Sequence, residues 1–357
     1  MKPVLYAWSA WYSGEREGNG KGILADAVSC TVTEEINGIF ELTMKYPITG
    51  IHGKEIVERD VIVAKPNQTQ RAQPFRVYRM SRHIGGIFTV YARHISYDLD
   101  DIPVEPFKAL TAKNAVIDIK QKSAIDNPFT FSAPIENPKN GVLELTEPAT
   151  ARAVLLGEEN SIASAFFTPY KGQFYFDWYD VQIFDRRGAD NGMRVVYGEN
   201  MTKYNNDSNR TEFYNGIYPY ARMKDGTLFT LPEKVLVLPG WSFEKIAIVD
   251  VTRTVDLKIE QGFEPTAEML RTIASAYMVV NRFGEYVSSF DVSFVNLKDT
   301  AEYAHLEGLK SVALGDTVEI VYPAYGASAK EICSKTVFNV LTEKYDSVSI
   351  GKLRGGI

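Results

Sequence analysis

The stretch Asn37-Gly-Ile-Phe-Glu-Leu-Thr-Met-Lys-Tyr-Pro47 decides how the chain is read. Phe40, Leu42, Met44 and Tyr46 alternate with Glu41, Thr43 and Lys45, which is the period-two pattern of a half-buried strand. Asn37-Gly38 is a hairpin turn signal that folds this strand back on one around Cys30–Glu34. The same pattern recurs over Val61–Ala64, Phe75–Met80 and Ile87–His94, with Gly85-Gly86 as a tight turn between the last two. Several short strands with regular turns point to a small barrel or sandwich over 1–104.

Beyond it the character changes. Prolines and acids cluster in Asp98-Leu-Asp-Asp-Ile-Pro-Val-Glu-Pro106, which reads as a solvated linker with a boundary near residue 104. Thr111 caps an expected helix over Ala112–Lys122, and a second covers Thr150–Leu156. Pro128, Pro134 and Pro138 interrupt the passage between them. Phe174–Asp177 and Val181–Phe184 form a hairpin, so 105–192 reads as mixed α/β. Strand patterns resume over Met193–Tyr197, Tyr214–Met223, Thr227–Leu231 and Lys234–Leu238. They return over Val287–Val295, Thr317–Val321 and Lys335–Leu341. This assigns a second β-barrel to 193–250 and 285–357, interrupted by a helix-containing insert over 251–284. There, Leu270, Ile273, Tyr277 and Val280 mark one helical face after Thr266. The expected class is mainly β with α+β parts.

Composition narrows the function. The 357 residues suit two to three domains at about 150 residues each. A 45% hydrophobic and 24% charged chain is neither disordered, collagen-like nor a coiled coil. A formal charge of -6 does not call for a basic nucleic-acid-binding surface. Cys30 and Cys333 are too far apart for a metal knuckle and read as buried free thiols. The N-terminal apolar run is broken by Ser9 and Ser13, unlike a secretory signal, and no stretch reaches the ~20 apolar residues of a membrane span. The expectation is a protein made in the cytoplasm that stays soluble or is built into an assembly.

The catalytic inventory is thin. His52, His83, His94 and His305 show no HExxH spacing, and no CxxC, GxSxG or GxxxxGK[ST] occurs. Asp98, Asp100 and Asp101 lack calcium-loop spacing. Asp177, Asp180 and Asp185 sit at turns, where Asp favours local hydrogen bonds over carboxylate-pair chemistry. Asn67, Asn200, Asn206 and Asn209 begin N-x-[ST] matches that mean nothing for glycosylation without a secretory route. His94, flanked by Arg93, Tyr91 and Tyr97, reads as a structural histidine. No catalytic, cofactor or metal residue is assigned.

Several strings together resemble the phage tail-protein family known as prophage endopeptidase tail, or tail-associated lysin. They are Asn37–Pro47, Gln73-Pro-Phe75-Arg76, and Val90–Leu99 with His94, Tyr97 and Asp98. Leu156–Ile162, Phe176-Asp177, Arg187-Gly188, and Asp190-Asn191-Gly192 follow in the same order. Tyr197-Gly198-Glu-Asn200 carries Glu199 where the family usually has Lys. Leu314-Gly315-Asp316-Thr-Val318 and Tyr345–Gly351 complete a match over roughly 30–352. Gln73, Phe75, Arg76, His94, Tyr97, Asp98, Arg187, Gly188, Asn191, Gly192, Gly198, Asn200, Gly315 and Asp316 are thus signature residues with an expected structural role.

The resemblance implies a baseplate hub with two small β-barrel tube domains flanked by two further domains. Three copies would form a ring whose six barrels match the sixfold tail tube, with threefold symmetry below. It implies as partners the distal tail protein, the tail-tube ring, the tape-measure protein and a tip fibre or spike. The implied location is the virion tail tip, after synthesis in a bacterial, by resemblance Gram-positive, cytoplasm. DNA would pass through the lumen without specific binding, which favours a neutral or acidic wall. Peptidoglycan cleavage in that family belongs to modules after the hub region, and the chain, ending where the hub region would, is expected to carry none. Two other classes stay open: a cell-wall hydrolase of the tail tip and a carbohydrate-binding tail module. Trp8, Trp11, Trp178 and Trp241 are candidates for interface anchors or core.

Overall fold

The computed structural model describes residues 2–7, 20–82, 84–133, 141–157, 160–167, 172–208, 213–281, 283–284, 288–294, 312–323 and 327–351. Trp8, Trp11, His83, Pro134, Pro138, Asn209 and His305 lie outside them. The chain divides into two compact units, one of Met1–Asn206 with Ser289–Ile357 and one of Asp207–Ser288.

In the larger unit, Ser29–Glu35 and Phe40–Pro47 form the expected hairpin, with Asn37 at φ 57° in its turn. The alternation is literal: Phe40, Leu42, Met44 and Tyr46 are buried and the residues between them are not. From this hairpin the sheet extends both ways. On one side lie Ile87–His94, Gln73–Arg82, Val61–Ala64, Val4–Tyr6 and Gly22–Ile23 in spatial order. On the other lie Ala327–Asn339, Lys344–Gly351, Ser288–Phe294 and Met201–Ser208. Thr317–Tyr322, with Asp190–Val196 beyond it, pairs with the first half of Ala327–Asn339. The result is one 13-stranded sheet in which early and late segments of the chain are neighbours. The junction is antiparallel, running from Lys335 opposite Glu35 to Asn339 opposite Thr31.

The boundary expected near residue 104 is not a break in packing. Ile95–Asp101 winds into a 3-10 helix with Leu99 fully buried, so Asp98–Asp101 is not a solvated linker. One large core continues from the early strands through Val104, Ile119, Leu155 and Phe166 to Ile183. Residues 105–192 therefore share a core with the first strands, because the apolar faces of the helices Ala112–Gln121, Ala151–Leu156 and Ile162–Phe166 close over it. The first two helices start at Thr111 and Thr150, whose hydroxyls accept from Asn114 N and Ala153 N. A smaller, separate core gathers Ile36, Val195, Leu314, Val318, Ile320, Cys333, Val348 and Ile350.

The smaller unit changes the expected division of the second half. The sequence reading placed the strands of 193–250 with those of 285–357 and set 251–284 apart. Instead, Gly216–Arg222 pairs with Leu228–Thr230, Leu236–Val237 and, in parallel, Ile246–Asp250. Ile217, Ala221, Ala247 and Val249 of this sheet pack with Val255, Leu270, Ala274 and Met278 of the helices Thr252–Glu260 and Ala267–Val280. Strands and helices bury each other's apolar faces, so 207–288 folds as one body. Thr266 caps the second helix through Met269 N, as its position suggested. The first helix was not foreseen. Its Thr252, Thr254, Val255 and Ile259 are β-branched and disfavour helix.

Candidate functional site

Most signature residues of the larger unit gather into two polar knots. The first sits where the strand Gln73–Arg82 meets the hairpin Gln173–Asp177/Asp180–Phe184. Gln73 is fully buried and bonded at both ends. Its Nε2 donates to Asp177 Oδ1 at 2.6 Å and to Arg71 O at 3.2 Å. Its Oε1 accepts from Trp178 N at 2.8 Å and faces His94 Nε2 at 3.1 Å. Ser96 N donates to His94 Nδ1 at 3.2 Å, which fixes the tautomer: the proton is on Nε2 and points to Gln73. Burial pushes the imidazole down to about 3, and the positive charge of Arg152 adds to this. His94 is thus neutral near pH 7, stacked on Phe40 with ring centroids 4.4 Å apart and edge-on to Phe75 at 5.7 Å. A proton-transfer role needs a group that titrates near the working pH, and this one does not.

Arg76 and Asp98 extend the first knot. The guanidinium holds both carboxylate oxygens, Nε to Oδ1 at 2.9 Å and Nη2 to Oδ2 at 2.6 Å. This ties the 3-10 helix to the sheet. Tyr97 lies under Arg152, 3.9 Å from ring centroid to guanidinium carbon, and Arg93 stands 5.0 Å from the same ring. Asp177 accepts from Gln73 and Arg71, and Asp180 accepts from Thr130 Oγ1.

The second knot lies at the small core. Arg187 pairs with buried Glu34 at 2.9 Å, donates to Phe174 O at 3.1 Å, and its backbone N–H is held by Gln173 Oε1 at 2.6 Å. Gly188 then crosses Gly315 in close backbone contact. A Cβ on Gly188 would stand 2.0 Å from the Gly315 carbonyl carbon, so no other residue fits. Gly315 itself has φ 92°, a left-handed conformation that glycine adopts without strain. Asp316 ties the crossing together: Oδ1 accepts from Ala189 N at 2.9 Å and Asn191 Nδ2 at 3.4 Å, and Oδ2 from Ala313 N at 2.9 Å.

Three signature residues lie apart from both knots. Gly192, with φ 70°, follows Asp190 where the strand pairing shifts register. Gly198 and Asn200 form the turn after Val196, with Asn200 Oδ1 accepting from Val196 N at 2.8 Å. Members the sequence did not single out are Glu34 and Gln173, whereas Trp178, a candidate for interface anchor or core, joins the first knot through its backbone N–H to Gln73 Oε1. Trp178 takes φ 58° in the two-residue turn of Asp177-Trp-Tyr-Asp180. Trp241 stacks edge-on to Phe213 at 4.7 Å in the smaller unit.

Both cysteines are buried free thiols. Burial raises Cys30 to about 12 and pushes Cys333 further still, so neither forms the thiolate a nucleophile needs. His52 pairs with Glu55 at the surface. Among the described residues, no three His, Cys, Asp or Glu side chains gather as a metal site, and no helix is long and apolar enough to cross a membrane. Each knot ties residues far apart in sequence together through directional, mostly buried bonds.

Three solved structures are similar to the chain over nearly its whole length. Prophage tail protein gp18 from Listeria monocytogenes EGD-e has a TM-score of 0.63 at 14% identity, covering 100% of this chain and 96% of its own. The 43 kDa tail protein of prophage MuSo2 from Shewanella oneidensis has 0.62 at 11%, covering 99% of each. A tail protein from Neisseria meningitidis MC58 has 0.59 at 9%, covering 98% and 96%. The chain therefore has the fold of these tail proteins. No family model and no curated protein matches it.

Proposed function

We propose that this chain is a structural virion protein, the trimeric hub at the distal end of a phage, prophage or tailocin tail. The reading rests on one observation: three tail proteins from three bacterial species share its fold end to end at 9–14% identity. Preservation of a whole architecture at that distance suits a part whose shape is its task. The signature of the tail-associated lysin family supports the finer assignment, since its buried members are spent on holding shape. In this reading two barrel-like regions of each of three copies meet the sixfold tail tube. The distal tail protein and tape-measure protein neighbour the ring, a tip fibre or spike continues it, and DNA passes without being gripped.

The test is the copy number in assembled tails, by mass and imaging. A ring of three copies at the tail tip is expected. Two, four or six copies per tail, or a position away from the tip, overturns the hub reading. The enzyme alternative is tested separately, by incubating the protein with purified cell wall. No released amines or reducing ends are expected. Turnover that His94 or Cys333 substitutions abolish would restore the hydrolase.

A further inference from the structure

The large and small cores of the larger unit meet at a polar seam. Along Ser29–Glu35, Cys30 and Val32 belong to the large core, and Ile36 just past the strand belongs to the small one. The antiparallel neighbour Ala327–Asn339 runs the other way, with Phe338 in the large core and Cys333 in the small one. Between the two cores, Glu34 and Thr336 stand directly opposite each other in register. They are 2% and 1% exposed.

Arg187 takes Oε1 of Glu34. The other carboxylate oxygen, Oε2, and the hydroxyl of Thr336 are buried without a hydrogen-bond partner in the protein, and they do not reach each other. A buried polar oxygen left unsatisfied is among the costlier features a fold can carry. Two such oxygens on facing residues mark a place for a small ligand that bonds both.

We propose that the seam is a binding site for a single water molecule, donating one hydrogen to Glu34 Oε2 and bonding the Thr336 hydroxyl. Charge selects the occupant. Arg187 already balances the Glu34 carboxylate, so a metal or ammonium ion would bring an uncompensated positive charge into a buried site. An anion would meet the bare Oε2. A neutral molecule with two donors and two acceptor sites satisfies both oxygens without adding charge, and buried waters commonly use two to four such bonds. Hydrated in this way, the facing pair keeps a polar strip between two cores that Tyr345 also touches on both sides.

A crystal structure of the full chain at high resolution tests this. The expected result is a density peak within about 2.6–3.2 Å of both Glu34 Oε2 and Thr336 Oγ1. A direct bond between the two oxygens, a dry gap, or a peak with anomalous signal or metal-like distances overturns it. In solution, water-oxygen relaxation dispersion counts long-lived internal waters. Thr336→Val should lower that count by one, and Thr336→Ser should keep it. An unchanged count in folded Thr336→Val overturns the proposal. Should Thr336→Val not fold, the wild-type crystal decides alone.

Discussion

At the scale of single residues, the signature strings differ in what surrounds them: Gly188 lies against the Gly315 backbone, whereas a Cβ on Gly192 or Gly198 meets nothing within 4 Å. Gly188→Ala would drive a Cβ into the Gly315 backbone, and backbone has no alternative rotamer. We expect it to fail to fold or to lose at least about 4 kcal/mol, read by chemical denaturation. Gly85→Ala, where a Cβ meets nothing within 4 Å, should change stability by less than about 1 kcal/mol. His94 gives a pH signature. Its folded pKa is depressed to about 3 by burial, against an ordinary 6.5. Between those values the unfolded chain binds the extra proton, so stability rises with pH up to about 6.5 and then levels off. Wild type should lose up to about 1.4 kcal/mol per pH unit on acidification through that window from this group. His94→Gln should be weaker at pH 7 but flatter with pH. Equal slopes in paired melts would remove His94 as a buried neutral group. The identity of these residues was legible in the sequence. Their partners were not, because Glu34, Gln173 and Asp177 lie 153, 14 and 104 positions from Arg187, Arg187 and Gln73, and spacing along a chain carries no trace of such a meeting.

At the scale of elements, what could be read locally was local. The hairpin at Asn37-Gly38 and the helices after Thr111, Thr150 and Thr266 announce themselves through turn and cap chemistry within a few residues. Thr266→Ala should cost about 1 kcal/mol by removing the bond to Met269 N, measured by the melting of the smaller unit. The helix Thr252–Glu260 escaped because tertiary burial of Val255 overrides its β-branched composition. The pair Arg187–Glu34 is the element-level lock between the hairpin Gln173–Asp177/Asp180–Phe184 and the sheet. Arg187→Met alone should cost about 3–5 kcal/mol, since it leaves a buried carboxylate uncompensated. Adding Glu34→Leu should recover most of that loss. A double variant as unstable as the single one would show that the pair does more than neutralise itself.

At the scale of the whole molecule, the sequence conveyed the order of β, mixed and β regions but not which strands share a sheet. Pairing partners of Ala327–Asn339 lie on both sides of it in sequence and three hundred residues away, and an alternating pattern specifies a face, never a neighbour. The compact body Asp207–Ser288 leaves and rejoins the larger unit through strands that neighbour each other in its sheet, Met201–Ser208 and Ser288–Phe294. Replacing the body with a short turn should therefore leave the rest folded, with its β spectrum and cooperative melt intact. Aggregation of that deletion would count against the division. The junction of Thr31–Glu35 with Lys335–Asn339 has a consequence in time. Strand Ser29–Glu35 leaves the ribosome early, yet one of its two hydrogen-bonding edges has no native partner until residue 339 has been made. For most of synthesis that edge is an open template for pairing with other chains. Contacts so distant in sequence also make folding slow. The nascent protein must be kept soluble with its central sheet half assembled, and any ribosome stall before residue 335 releases a chain primed to aggregate.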